Sequence, residues 1–235
     1  MKERSPILLS WSGGKDSSLA LYEIQKSGKY EVTSLITTVT EEYDRVSMHG
    51  LRTVLLEQQA ESLNIPLQKV FITNNAANDE YETKFNELLI RFKEAGIKQV
   101  VFGDLYLEDI KKYREALLQK IGMQCVFPIW KRDTAKLALE FIESGFKAVT
   151  VCVDSNVLGE EFAGREFDLQ FLNDLPEGID PCGENGEFHT FTYDGPIFKN
   201  PIDHRLGEIV LRDERFYYCD VLPDSKLDDM PHWHQ

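Results

Sequence analysis

Apolar residues along this chain fall into short continuous runs that alternate with longer stretches of helical spacing. Ile7-Leu8-Leu9 predicts a strand, and Leu19-Ala20-Leu21 with Ile24 an amphipathic helix behind it. Residues 32–39 are largely β-branched and predict a second strand. A helix over 51–63, a strand over 67–72 and a strongly amphipathic helix over 80–95, stopped by Gly96, follow. Val100-Val101-Phe102 predicts a fourth strand, 108–121 a helix and 123–127 a fifth strand. Strand–helix–strand repeats make right-handed crossovers, hence a parallel sheet. The predicted fold class is α/β: a doubly wound, Rossmann-like, five-stranded parallel sheet over residues 1–130.

After residue 130 the beat changes. A helix over 134–143, capped by Asp133 or Thr134, and a strand over 148–153 are predicted first. A short helix near 166–175, a strand over 188–193 and a single strand over 208–220 come next. Residues 131–235 therefore read as a smaller α+β domain packed over the carboxyl edge of the sheet. The tail from Pro223 carries His232-Trp233-His234, an incidental cluster in so short and acidic a setting.

Composition narrows the chemistry. The 235 residues carry 26 basic and 40 acidic side chains, a formal charge of -14, which disfavours free nucleic acid and anionic lipid as partners. Cys125, Cys152, Cys182 and Cys219 lie far apart, without a Cys-x-x-Cys. They read as reduced packing residues of a cytoplasmic protein, not as a disulfide framework, a zinc site or a sulfur relay. No leader and no membrane-length apolar run is expected.

Ser10 to Ser18 sits where the first strand meets the first helix. Gly13 and Gly14 let the backbone turn tightly and approach a ligand. The helix N-terminus, with Ser12, Ser17 and Lys15, favours an anion there. The spacing is not that of a Walker A loop, because Asp16 follows Gly14-Lys15. A carboxylate among phosphates calls for a cation, so Asp16 is a candidate ligand for Mg²⁺. An ordinary helix cap is the plainer reading. At the carboxyl ends of neighbouring strands, Ile36 and Thr37 could offer backbone to adenine, and Gly103 and Asp104 could meet the metal or substrate. On the connection after strand two, Arg45 and His49 could reach a phosphate or a carboxylate. Arg114 could turn inward toward phosphates or stay on the surface.

A second polar segment runs from Asp180 to Phe191. Gly183 and Gly186 permit a strained turn, and strand alternation would place Glu187 and His189 on one face. Either could serve as acid or base toward an incoming amine, with Asp104 as a further catalytic candidate. Glu184, Asn185 and Thr190 could bind the substrate. An Asn-Gly hairpin turn is the plainer alternative.

Both segments carry a resemblance. Ser12-Gly13-Gly14-Lys15-Asp16-Ser17 is similar to the pyrophosphate loop of the N-type ATP pyrophosphatases, whose fold is adenine nucleotide alpha hydrolase-like. Gly183-Glu184-Asn185-Gly186-Glu187-Phe188-His189-Thr190 resembles the C-terminal signature of the diphthine–ammonia ligase family. Gly103-Asp104, Pro128-Ile129-Trp130, Leu158-Gly159 and Phe162 to Arg165 fall in that family's order. The resemblance implies an ATP-dependent amidation in which a carboxylate is adenylated, ammonia attacks, and AMP and diphosphate leave. It implies ATP and Mg²⁺ as cofactors. The implied acceptor is the modified histidine of elongation factor 2 or, in a bacterial member, a small metabolite such as a corrinoid in cobalamin salvage. It implies the short, single-unit form, and it allows a homodimer. A non-catalytic ATP-binding sensor is the rival reading, since the fold serves that role too.

Overall fold

The computed structural model describes residues 4–43, 45–46, 50–73 and 78–224. His49, His232 and His234 lie outside the described residues.

The first half alternates β1 (Ser5–Ser10), α1 (Lys15–Ser27), β2 (Tyr30–Thr40), β3 (Arg45–Val46), α2 (Thr53–Leu63), β4 (Leu67–Ile72), α3 (Asn78–Glu94), β5 (Gln99–Val101), α4 (Glu108–Lys120) and β6 (Gln124–Val126). The parallel strands run in the order β4-β2-β1-β5-β6. This order reverses direction between β1 and β5, the place where open α/β sheets bind ligands. Strand alternation divides the core in two. Ile7, Leu9 and Trp11 face one cluster with α1 and α2, whereas Leu8 faces the other with Phe85, Leu89, Leu117 and Leu118 of α3 and α4. The predicted doubly wound sheet is therefore present. The predicted polar connection after β2 differs, because a 3-10 turn (Glu41–Tyr43) precedes the two-residue β3, which pairs antiparallel with the end of β2.

The second half holds α5 (Thr134–Glu143), β7 (Lys147–Asp154), α6 (Leu169–Asp174), β8 (Phe188–Asp194), β9 (His204–Arg212) and β10 (Phe216–Pro223). Its strands form a separate antiparallel sheet ordered β8-β7-β10-β9. The single strand expected over 208–220 is two strands joined by a tight turn. Asp213 and Glu214 both adopt φ of 52°, and Arg215 N–H donates to Arg212 C=O across the turn. That geometry usually signals itself through glycine or asparagine, and Arg-Asp-Glu-Arg carries neither.

The halves share one hydrophobic cluster. Leu9 and Trp11 of the first half and Phe141, Phe167, Phe171, Phe188 and Phe191 of the second belong to it. Asp220 adds a polar tie, accepting from Arg45 at 3.0 Å and from Arg52 at 2.7 Å. No helix among the described residues is long and apolar enough to cross a membrane.

Candidate active site

The loop from β1 into α1 is shaped by its glycines. Gly13 has φ +82, and a Cβ there would lie 2.9 Å from Gln59 Oε1. Gly14 has ordinary φ, but a Cβ would lie 2.9 Å from the Thr190 carbonyl oxygen. The loop is thus pressed against β8. Lys15 N–H donates to Thr190 Oγ1 at 3.0 Å, and Thr192 N–H donates to the Gly13 carbonyl at 2.9 Å. The N-cap residue of α1, Gly14, has no side chain to cap the helix. Ser17 and Ser18 instead donate back to the Gly14 carbonyl at 3.0 Å each, and the Ser12 and Ser17 hydroxyls lie 3.2 Å apart.

A cavity of about 230 Å³ opens at the switch point between β1 and β5. Ser12, Gly14, Lys15, Asp16 and Ser17 line one wall, and Gly103, Asp104 and Arg114 a second. Gly183, Glu184, Gly186, His189 and Thr190 line the third. The two polar segments, separated by about 170 positions in sequence, therefore share one cavity. Gly103 lets the end of β5 lie against the start of α1, because a Cβ there would sit 2.8 Å from the Asp16 carbonyl oxygen. Ile36 and Thr37 line an adjoining hollow of about 240 Å³ that shares Ser10, Ser12 and Arg114 with the first. The Ile36 carbonyl already accepts from Trp11 N–H at 2.7 Å, whereas the buried Thr37 Oγ1 has no hydrogen-bond partner.

Charge in the cavity is mostly paired. Lys15 Nζ lies 2.8 Å from Asp16 Oδ2 and is almost wholly buried. Removal from water, partly offset by Lys15, raises the Asp16 carboxyl above the usual range. Asp104 is gripped by Arg114 through Nε at 2.7 Å and Nη2 at 3.2 Å. The Arg114 guanidinium also rests on the Phe102 ring, 4.5 Å from its centroid. Burial, reinforced by the negative charge of Asp16, pushes the Glu184 carboxyl up to about 7, even though Leu105 N–H donates to it at 3.3 Å. A carboxyl that titrates near neutrality in a ligand cavity can take and return protons. Burial pushes the neighbouring Cys182 thiol up to about 12, so it is an inert packing group. All four cysteines are free thiols.

Gly13, Arg45, Asn185 and Glu187, all predicted site residues, do not line the cavity; Arg45 is held by the Gly50 carbonyl and Asp220. Glu187 is buried, and its carboxylate accepts from the backbone N–H of Asp180 at 3.1 Å and of Asn185 at 2.9 Å, and from the Asn185 side chain at 2.9 Å. Glu187 does not join His189 at the cavity: its carbonyl still accepts from Asp154 N–H at 2.9 Å beside β7, but its carboxylate is engaged within the 180–187 turn. Asn185 bridges Glu187 to the Tyr106 hydroxyl, which donates to Asn185 Oδ1 at 3.1 Å. Among the described residues no group of three or more His, Cys, Asp or Glu is placed to hold a metal by protein ligands alone.

Comparison with known proteins agrees with this geometry. Residues 5–125 match the family described as diphthamide synthase N-terminal domain, and residues 133–221 the diphthamide synthase C-terminal domain. The chain belongs to the diphthamide synthase family. It is 27% identical over 242 residues to a diphthine–ammonia ligase of Danio rerio, covering 92% of this chain and 93% of that one. Identity to the Homo sapiens diphthine–ammonia ligase is 26% over 223 residues, covering 85% and 83%. A Schizosaccharomyces pombe diphthine–ammonia ligase is 26% identical over 254 residues, which is 94% of this chain but only 39% of that relative.

In this diphthamide synthase family member, some organising residues give little sign of themselves in the sequence. Gln59 is fully buried on α2 and joins three segments. Its Oε1 accepts from Trp11 Nε1–H at 2.8 Å, and its Nε2 donates to the carbonyls of Gly13 at 3.0 Å and Thr192 at 2.6 Å. Asp180 orders the second segment, accepting from Cys182 N–H at 2.9 Å and from the Thr134 hydroxyl at 2.7 Å. A glutamine amid an apolar helical face was the only available hint of the first.

Proposed function

We propose that this protein is an ATP-dependent ligase that adenylates a carboxylate and amidates it with ammonia, releasing AMP and diphosphate. The observation that carries the reading is the cavity at the sheet's switch point, walled jointly by Ser12, Gly14, Lys15, Asp16 and Ser17 and by Gly183, Glu184, Gly186, His189 and Thr190. In this reading Ser12, Gly13, Gly14, Lys15 and Ser17 hold the phosphates with backbone N–H groups, hydroxyls and one ammonium. The adjoining hollow takes the adenine, with Thr37 as a polar contact. The acceptor carboxylate attacks the α-phosphorus, the bond to the β-phosphate oxygen breaks, and diphosphate leaves. Ammonia then attacks the acyl carbon, the bond to AMP oxygen breaks, and the nitrogen sheds a proton to the cavity. In this reading Glu184 or His189 receives that proton, and Asp104 with Arg114 fixes the phosphates or the acceptor.

The donor set fits Mg²⁺ carried by the triphosphate, since that ion commonly takes one or two carboxylates and completes its shell with phosphate and water. Asp16 would hold it, and the ion would neutralise charge on the departing diphosphate. The names of the relatives point to diphthine, the modified histidine of elongation factor 2, as acceptor. We further propose that residues 1–130 form the nucleotide-binding unit and 131–235 the acceptor unit.

Incubation with ATP, ammonium and diphthine-bearing elongation factor 2 should give acceptor amide, AMP and diphosphate in equal amounts. A corrinoid carboxylate in a parallel reaction tests the small-metabolite acceptor. Formation of ADP and orthophosphate, or ATP binding without turnover on either acceptor, would refute the ligase reading.

A further inference from the structure

The antiparallel sheet treats its two edges differently. Its β8 edge is covered by the phosphate-loop region, through the bonds from Thr192 N–H to Gly13 and from Lys15 N–H to Thr190. Its β9 edge has no neighbouring strand among the described residues. An open edge strand presents N–H and C=O groups to any strand that can align with it.

The side chains of β9 make that edge unusual. Leu211 lies opposite Tyr217, Ile209 opposite Cys219, and Leu206 opposite Val221, with a bulge between the last two pairs. Directly opposed residues share a sheet face. The bulge therefore keeps all three β9 residues on the face where Cys219 and Val221 are buried. Yet Leu206, Ile209 and Leu211 are 46%, 37% and 51% exposed. The apolar face runs past the edge of its cover.

We propose that a second copy of this chain pairs with β9, edge to edge and antiparallel, about a twofold axis through Val210. The segment Glu208-Ile209-Val210-Leu211-Arg212 complements its own reverse. About that axis Glu208 faces the partner subunit's Arg212, and Ile209 faces the partner subunit's Leu211. The symmetric contacts repeat both pairs, as a twofold interface requires. Over the five residues Glu208 to Arg212, charge and apolar character both match in this register. Moving the axis to Leu211 sets Glu208 against the partner subunit's Glu214, and moving it to Ile209 sets Arg212 against the partner subunit's Leu206. The pairing joins the two sheets into one and sets the exposed Ile209 and Leu211 against each other across the seam.

Light scattering after size-exclusion chromatography of the full chain, across a range of concentrations, tests the proposal. The wild type should run at twice the 27.1 kDa monomer mass. R212E and E208R each replace two attractive cross-strand pairs with repulsive ones and should weaken association by about tenfold or more. The double variant E208R/R212E swaps the charges and should restore it. L211K, on the apolar face, should give monomer. Thermal unfolding of each variant separates lost association from lost folding, and restoration in the double variant is an effect that misfolding cannot produce. A wild type that stays monomeric, single variants that associate as the wild type does, or a charge swap that fails to restore would each overturn the interface. The inference is independent of the ligase reading.

Discussion

Replacing Gln59 by leucine tests how the loop at Gly13 and Gly14 is held. The side chain has no exposure, and its amide satisfies an indole N–H and two carbonyls. Only one amide orientation fits, because the indole can only donate and the carbonyls only accept. Leucine has nearly the same volume, so little cavity term enters. The loss is polar: Trp11 Nε1–H becomes a buried donor without a partner, which costs about 1–3 kcal/mol. The Thr192 carbonyl loses a 2.6 Å bond, while the Gly13 carbonyl keeps its bond from Thr192 N–H. The sum is about 3 kcal/mol, or roughly 6–12 °C in Tm for a chain of this size. Urea denaturation monitored by circular dichroism gives the stability, and isothermal titration with ATP reports the loop. Adding Trp11→Phe removes the orphaned donor and should recover at least about 1 kcal/mol, a coupling that a double-mutant cycle measures. If Gln59→Leu alters stability by less than about 0.5 kcal/mol and leaves ATP affinity unchanged, the argument that this amide fixes the loop is wrong.

Other outcomes follow from the same geometry. Gly103→Ala would force a Cβ to 2.8 Å from the Asp16 carbonyl oxygen. Backbone on both sides cannot yield cheaply, so stability should fall by about 1–3 kcal/mol and ATP affinity with it; normal binding by calorimetry would contradict this. Arg114→Ala leaves the Asp104 carboxylate, now gripped by two hydrogen bonds, facing the proposed phosphate site alone. The expected loss of ATP affinity should be partly reversed in the Asp104→Asn background, as titration of the double variant would show. The Glu184 carboxyl, held up to about 7 by burial against 4.5 as its ordinary value, gives a pH signature. Between those pH values the unfolded chain has released this proton and the folded chain retains it, so stability falls as pH rises through the window. Glu184→Gln should flatten that fall, gaining stability relative to wild type toward neutral pH; parallel curves for the two proteins would exclude the shift. Asp220→Asn should loosen the tie to Arg45 and Arg52 and lower the urea midpoint, with little effect on ATP affinity.

The sequence by itself determined the parallel sheet and its crossovers. Periodicity of two in the apolar runs and near 3.6 between them is a local property, written residue by residue. It also determined the loop at Gly13 and Gly14, since only a few residue types tolerate such a turn. What it could not reveal depends on partners distant in the chain. Glu187 alternates correctly with His189 on paper, but its carboxylate accepts from the N–H groups of Asp180 and Asn185 within the turn and does not reach the cavity. The β9–β10 turn was hidden because Asp213 and Glu214 adopt positive φ without glycine, held there by pairing of the strands on either side. Gln59 reads as an ordinary helical position until α2 packs over the loop and β8. Tertiary structure alone decided that the two polar segments share a cavity, because contact across some 170 residues is set by which faces the core buries, and no local pattern encodes that distance.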